Sequence, residues 1–506
     1  MIRKLSYIII LSMLLGMMAQ ACAIDTITVT DFAEHQIFQR AVGETSASIT
    51  ITGRYSGMPE SIQARVIKAS SSSTVVDWTT IVSSPSGGVF SGELANIPQG
   101  GWYHVEVRYG NKTSVVSKGK NNWGIGIVVG IIGQSLGELW SRNSTGGSSN
   151  QAPDCQTVDP DPLLSYYWEN GWSFPYNKEN CGAITFGNTL ITAFGIPVGI
   201  VNYAVGSAGL MSECSTKQYG KYFLGGPPSY IPNMNYYADF IRAVKAIGGN
   251  LEFVIWIGSE ADWMDRHDHY KGALKALYAY LKRDISSNIP LIVNGYGSVT
   301  EHQYNFKNMS GWPIIRDHTI HVADSTPGMY VGAQSYDFPL ATANIHYSCA
   351  GFITHGQRMA QTVLYLLGKS TYYRGPQITG FTRADANHIH VSILHHGGTD
   401  FSPAFGIKGF QLFDGGKEVK LTSVSKLNSN TIQLTTEATL STKLEVRYMF
   451  DNNPMQNLRV TQQLSMPYFV DGVYDNSSLQ LPLEPYISTH PPILSKGQQC
   501  EGDNVK

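Results

Sequence analysis

Trp123-Gly-Ile-Gly-Ile-Val-Val-Gly-Ile-Ile-Gly-Gln-Ser135-Leu-Gly-Glu-Leu-Trp140 decides how this chain is read. Ile125, Ile127, Val128, Val129, Ile131 and Ile132 give a β-branched run without polar alternation. A strand covered on both faces by helices has that pattern, whereas a half-exposed strand alternates. Gly133 breaks the run and Ser135 follows two residues later. Open α/β sheets bind ligands just past the carboxyl ends of their strands. A hydroxyl placed there is a candidate nucleophile if a base lies within reach.

Working outward, residues 119–375 alternate strands with helices, as a parallel sheet with crossover connections requires. Strands are predicted at Ile125–Ile132, Ile196–Tyr203, Leu251–Ile257, Leu291–Asn294 and His318–Val322. Helices are predicted at Tyr236–Ile247, Tyr270–Ile285 and Gly351–Leu367, where apolar residues recur at helical spacing. Asn143–Asn188 is polar, aromatic and turn-rich, and reads as a long insertion beside Ser135. Its run from Tyr166 to Trp172 could stack on a sugar ring or simply pack the loop. Residues 24–118 read as a β-sandwich, with alternation in Ser46–Thr52, Ile62–Ile67 and Trp102–Arg108. Residues 376–490 read as a second β-domain, with short runs at Ile389–Leu394, Gly409–Phe413, Thr431–Thr435 and Lys443–Tyr448. Residues 491–506 read as a disordered tail.

The first 23 residues carry Arg3 and Lys4, an apolar stretch from Tyr7 to Met18, and Ala21-Cys22-Ala23. That is the form of a signal peptide cleaved after Ala23, which predicts a secreted, extracellular or periplasmic protein. Cys22 allows a lipoprotein reading, although Ala19-Gln20-Ala21 is a poor context for it. No later segment has the roughly 20 apolar residues of a transmembrane helix. A net charge of −2 over 506 residues, without a basic stripe, argues against a nucleic-acid partner. Of the six cysteines, five would remain after cleavage, and their pairing does not follow from spacing. Cys155 with Cys181 would close a surface loop, and Cys214 with Cys349 would tie two loops near the candidate site. Cys500 is the expected unpaired thiol. Asp265-Arg-His-Asp-His269 could suggest a metal site, but acids at a helix start explain it better.

Serine hydrolysis needs a nucleophile, an imidazole and donors for the oxyanion. Ser135 supplies the first. Val198-Gly-Ile-Val-Asn-Tyr-Ala-Val-Gly206-Ser-Ala-Gly209 runs a strand into small residues, so a backbone N–H can approach a ligand closely. Val254-Ile-Trp-Ile-Gly258-Ser-Glu-Ala-Asp262 ends a buried strand in small and polar residues. Ala343-Asn-Ile-His346-Tyr-Ser-Cys precedes a predicted helix that contains Gly356-Gln-Arg358-Met-Ala360.

In this order and spacing the four blocks resemble the SGNH (GDSL-type) hydrolase superfamily, and within it the sialate O-acetylesterase-like family of carbohydrate acetylesterases. The tail Asp475-Asn-Ser-Ser-Leu-Gln-Leu-Pro-Leu483 is similar to the end of that family's C-terminal β-domain. The resemblance implies a central parallel-sheet, three-layer, flavodoxin-like hydrolase domain flanked by N- and C-terminal β-sandwiches. It implies Ser135 as nucleophile and His346 as base, with Gly206 and the Ser135 backbone as oxyanion donors. The implied substrate is an acetylated carbohydrate, either sialic acid or another glycan. No metal or other cofactor is implied.

Three positions depart from the family pattern. The family's oxyanion Gln falls at Gly258, so the Gly258 N–H or Ser259 would have to substitute. The usual acid three residues before the histidine falls at Ala343, and Leu136 stands in place of Asn. Either a Ser–His dyad operates, or an acid arrives from elsewhere, with Glu260, Asp262 and Asp337 as candidates. The departures leave a second reading open, a glycan-binding protein on a hydrolase scaffold that has lost activity.

Overall fold

The computed structural model describes residues 24–41, 43–141, 158–168, 171–175, 181–212, 220–258, 260–262, 269–295, 297, 311–340, 346–450 and 473–488. The chain forms two compact units, one ending at Gly126 and the other beginning at Ile127.

In the first unit, Ser46–Ser56 pairs antiparallel with Thr26–Val29 and with Val89–Pro98. Ile62–Lys68 pairs with Thr74–Val82 and Gly100–Tyr109. Strict alternation along Ser46–Ser56 turns Ile49 and Ile51 inward. There they meet Val66, Leu94, Val105 and Trp123 in one core. One buried face and one wet face give the period-two pattern legible in the sequence.

β1 (Trp123–Gly133), all eleven residues of which are buried, begins in the first unit and from Ile127 onward belongs to the second. It is followed by α1 (Ser135–Ser141), β2 (Leu164–Trp168), β3 (Gly171–Ser173), α2 (Cys181–Phe194) and β4 (Val198–Asn202). Next come α3 (Tyr236–Ala246), β5 (Phe253–Ile257), α4 (His269–Asp284), β6 (Leu291–Val293), α5 (Gly311–Ser325), β7 (Met329–Val331) and α6 (Cys349–Leu366). The strand order is β3-β2-β4-β1-β5-β6-β7, parallel throughout except for the β2–β3 hairpin. Ile127, Val129 and Ile131 enter a core shared with α2 and α6. The alternate residue Gly130 faces α3, where an added Cβ would stand 2.8 Å from the Phe240 ring. Helices therefore cover both faces, which is why β1 is apolar throughout.

α3 shows how helix and sheet are matched. Tyr237, Phe240, Ile241 and Val244 recur at three- and four-residue spacing and are buried. Burying Phe240 and Val244 contributes roughly 1.5–3 kcal/mol each. The helix stops where Gly248 and Gly249 adopt φ of 116° and 83°, with the Gly249 N–H returning to Val244 O at 2.8 Å.

Two expectations are corrected here. His318–Val322 is not a strand but part of α5. Its buried residues Ile314, Ile315, His318, Thr319, Val322 and Ala323 follow a helical period that the β-branched residues obscured. The sixth parallel strand is Met329–Val331 instead. Within the supposed insertion, Leu164–Trp168 is a strand of the sheet and Cys181–Phe194 a helix of its core. α2 was hard to read because it has no polar stripe. Gly182 and Gly187 let it lie close to its neighbours, and a Cβ on Gly356 of α6 would stand 2.3 Å from Gly182 O.

The region after α6 forms two four-stranded antiparallel sheets. One orders Gln377–Arg383, His388–Leu394, Thr431–Thr436 and Leu421–Asn428. The other orders Lys417–Val419, Phe410–Asp414, Leu444–Tyr448 and Tyr486–Ile487. Ile389, Val391, Leu412, Leu434 and Val446 share one core between them.

Candidate active site

Ser135 opens α1 directly beyond β1. Gly133 makes the connection possible. Its φ is 139°, and an added Cβ would stand 1.9 Å from Ile257 O. Only glycine fits that close approach of β1 to the end of β5. Gln134 then fixes the start of the helix. Its N–H donates to Ile257 O at 2.8 Å, and its carbonyl accepts from Glu138 N at 2.9 Å. Its side-chain Oε1 accepts from Ala261 N at 2.7 Å. Leu136, Gly137, Trp140 and Ser141 form the buried side of α1, leaving Ser135 on the accessible side.

His346 meets Ser135 from 211 residues away, with Nε2 2.9 Å from Oγ. It is 4% exposed, and burial lowers its pKa from 6.5 to about 4. Desolvation disfavours the imidazolium, so the ring is neutral at pH 7 and Nε2 can accept the Ser135 proton. Nδ1 is buried and has no hydrogen-bond partner among the described residues. The ring is held through its neighbours. Tyr347 is fully buried and donates through its hydroxyl to Ser335 Oγ at 2.7 Å, and Ser335 donates to Gly295 O. Ser348 N donates to Pro339 O at 2.8 Å, and the Ser348 side chain caps α6 by accepting from Gly351 N.

The candidate acids have other partners. Asp262 is fully buried and accepts from Leu210 N at 2.7 Å and Met211 N at 3.4 Å. It thereby holds the chain just after the Gly206 turn. Asp337 takes a bidentate pair from Arg358 at 2.8 and 2.9 Å, and a further bond from the Tyr474 hydroxyl. Among the described residues neither carboxylate hydrogen-bonds to His346, whose ring contact is to Ser135. Glu260 begins a single 3₁₀ turn, Glu260–Asp262. Ser259 and Ala343 lie outside the described residues. Gly258 packs against the start of α1, where a Cβ would stand 2.9 Å from Gln134 N. Any side chain at 258 would crowd that backbone.

Gly206 lies in the turn after β4. Tyr203 N donates to Ile131 O and Val205 N to Gly133 O, so the chain leaving β4 stays beside the end of β1. Asn202 is a site residue that the sequence reading missed. Its Nδ2 donates to Gly137 O at 2.7 Å and to Ser141 Oγ at 2.5 Å, while Oδ1 accepts from Ala204 N at 2.8 Å. It fastens the serine helix to the Gly206 turn. The available signal was an amide ending the otherwise apolar strand Val198–Asn202.

Arg358 and Asp337 are each 3% exposed, so their pairing replaces lost water. Asp337→Ala would leave the guanidinium buried without a counter-charge. It is expected to cost about 3–5 kcal/mol, read as a lowered denaturation midpoint. The sulfurs of Cys181 and Cys349 lie 3.7 Å apart, farther than the roughly 2.05 Å of a disulfide bond. The other member of each anticipated pair, Cys155 and Cys214, lies outside the described residues. Among the described residues no cluster of His, Cys, Asp or Glu could hold a metal, and Asp265–Asp268 fall outside them. No helix among the described residues is long and apolar enough to cross a membrane. Tyr166 and Tyr167 are buried in the sheet, and Trp168 packs against Tyr203 with ring centroids 5.5 Å apart.

Fold and site together define a class: α/β proteins with a serine–histidine pair beyond the carboxyl end of a parallel sheet. The comparisons with known proteins are more particular. Residues 173–365 match the family described as carbohydrate esterase, sialic acid-specific acetylesterase, and the resemblance read from the sequence holds. The matched segment contains the second, third and fourth blocks with His346, and begins after Ser135. A carbohydrate acetylesterase from Xanthomonas citri has a similar structure, with a TM-score of 0.63 at 15% identity over 92% of this chain and 100% of that one. At that identity the likeness speaks to the fold alone. An Arabidopsis thaliana protein aligns at TM-score 0.35 and 15% identity, over 48% of this chain and 99% of that one. A family two carbohydrate esterase from Clostridium thermocellum, solved with cellohexaose, aligns at 0.30 and 11%, over 68% and 95%. No curated protein matches the chain in sequence.

Proposed function

We propose that this protein is an exported serine esterase of the SGNH type that removes O-acetyl groups from a carbohydrate through an acyl-enzyme. The observation that carries the reading is the 2.9 Å contact between His346 Nε2 and Ser135 Oγ, beside a chain segment that matches a carbohydrate esterase family. In the reaction, Oγ attacks the acetyl carbonyl as Nε2 takes its proton. The N–H groups of Ser135 and Gly206 receive the tetrahedral oxyanion. Collapse expels the sugar oxygen, which takes the proton back from Nε2, and leaves acetyl-Ser135. Water, deprotonated by Nε2, then releases acetate and restores the serine. With Nδ1 lacking a carboxylate among the described residues, Ser135 and His346 work as a dyad. An acid normally stabilises the imidazolium and fixes its tautomer; a dyad working without one is expected to turn over modestly.

The rest of the reading keeps a signal peptide over residues 1–23, β-domains over 24–118 and 376–490, and the hydrolase domain over 119–375. Sialic acid and other acetylated glycans are the substrate candidates. Acetate release from acetylated xylan and from O-acetyl sialic acid, with fluorophosphonate labelling of Ser135, tests the proposal. A protein that retains glycans yet neither releases acetate nor takes the label would instead be a binding protein on this scaffold.

A further inference from the structure

We infer that the outward face of the strands Ile62–Lys68 and Gly100–Tyr109, with Trp78 laid over it, binds a polysaccharide that carries carboxylates. The site lies within the first unit and takes no part in the chemistry at Ser135. Only the choice of a sugar polymer as ligand rests on the carbohydrate esterase reading.

Alternation sorts the side chains of the two strands. Ala64, Val66, Val105 and Val107 enter the core, so Gln63, Arg65, Glu106 and Arg108 stand together on the other side. Arg65 is opposite Glu106, and Gln63 is opposite Arg108. The neighbouring strand Thr74–Val82 slips its register here. Thr79 pairs with Ala64 and Val76 with Val66, which leaves Asp77 and Trp78 against Arg65 alone. A bulge of this kind re-aims a side chain. Asp77 accepts from the Trp78 N–H at 2.7 Å. The Trp78 ring reaches over the arginines, with its centroid 4.7 Å from Arg65 Cζ and 4.1 Å from Arg108 Cζ. The tryptophan stays partly exposed.

Both guanidiniums are held in place without being used up. Arg65 Nε donates to Glu106 Oε2 at 2.6 Å, and Arg108 Nε to Gln63 Oε1 at 2.8 Å. Neither arginine gives a terminal nitrogen to a described residue, and the Arg65 side chain is 31% exposed. A guanidinium is a planar fork that takes a carboxylate through two parallel N–H bonds. The ring and the Nε bonds fix each fork beforehand, so less side-chain freedom is lost on binding. Lys118, exposed and in register with Glu106, adds a third cation. These cations outnumber Glu106 and the Asp77 carboxylate at the bulge, so the patch is positive on a chain whose net charge is −2. The indole supplies an apolar surface with a polar edge, which suits the C–H face of a sugar ring. A sugar acid offers that face and a carboxylate in one residue.

Retardation of the native protein in gels containing polygalacturonate tests the inference, with the methyl-esterified polymer and polyglutamate as comparisons. The methyl ester keeps the sugar rings and hides the charge; polyglutamate keeps the charge and has no sugar. Binding to polygalacturonate is expected to exceed binding to either by about fivefold or more. Trp78→Ala, and Arg65→Gln combined with Arg108→Gln, should each weaken it by about fivefold or more, with the thermal midpoint checking that the fold is kept. Trp78→Phe should restore part of the loss. Lys118→Gln changes only an exposed side chain, and should weaken binding by about twofold and reduce its salt dependence. No retardation of the native protein, equal binding of either comparison polymer, or unchanged binding across the variants overturns the inference. Turnover of 4-nitrophenyl acetate should be the same in every variant. A native protein that binds polygalacturonate but leaves that ester intact supports this inference and overturns the esterase reading, so the two fail separately.

Discussion

Replacing Ser135 by alanine is expected to lower kcat on 4-nitrophenyl acetate by about 10⁴-fold or more and to abolish fluorophosphonate labelling. In the proposed mechanism the atom removed is the one that forms the acyl bond, and no other hydroxyl is hydrogen-bonded to His346 among the described residues. What remains is the contribution of oxyanion donors and substrate binding, which persists in serine hydrolases stripped of their nucleophile. Alanine fills no new space and α1 keeps its buried side, so the thermal midpoint should stay within a few degrees. A variant that still turns over at the native rate, with another residue acetylated, would remove Ser135 from the chemistry.

His346→Ala is expected to lower kcat by at least about 10³-fold, and the native pH profile should explain why. In the proposed mechanism the neutral imidazole is the working form. Burial depresses its pKa to about 4, so protonation of the free enzyme sets in near pH 4 instead of near 6.5. The acid limb of kcat/KM should accordingly lie near pH 4 and vanish in the variant, leaving slow hydrolysis that rises with hydroxide. The same shift affects stability with a definite sign. In the unfolded chain the ring takes up a proton below about pH 6.5, while the folded ring resists until about pH 4. His346 therefore weakens folding progressively as the pH falls from 6.5 to 4. Replacing it by alanine should lessen the acid destabilisation even as it removes activity. An acid limb near pH 6.5 would mean that the ring is solvated or paired with a carboxylate in solution.

Neither expected effect depends on an acid behind the ring. Asp262 and Asp337 were reasonable candidates in the sequence because both lie near the blocks that carry chemistry. The structure commits one to the backbone after the Gly206 turn and the other to Arg358. Sequence cannot show such commitment, because a carboxylate that holds a loop and one that orients an imidazole look alike as letters.

The long-range features had uneven legibility. β1 could be read directly, since a strand buried on both faces needs an unbroken apolar run. α3, α4 and the helix after His346 could be read from apolar period, because each presents one face to the sheet. α2 could not, because it packs on several sides and uses Gly182 and Gly187 for close approach. α5 reads as a strand over His318–Val322 because Ile320 and Val322 favour β structure locally, and packing of the whole helix overrides that preference. Asn202, Tyr347 and Ser335 support the site only through bonds to residues distant in sequence or unremarkable by type.

By itself the sequence determined the apolar strand that ends at Gly133, the serine two residues beyond it, and the ordered blocks that resemble an esterase. Those features depend on local chemistry: which side chains can be buried, which backbone angles a glycine allows, and where a hydroxyl falls relative to a strand end. Tertiary structure alone decided that the imidazole of His346 lies 2.9 Å from Ser135 and that no described acid orients it. Those are relations between segments up to 211 residues apart, and they exist only after the sheet is assembled and brings the ends of its strands together.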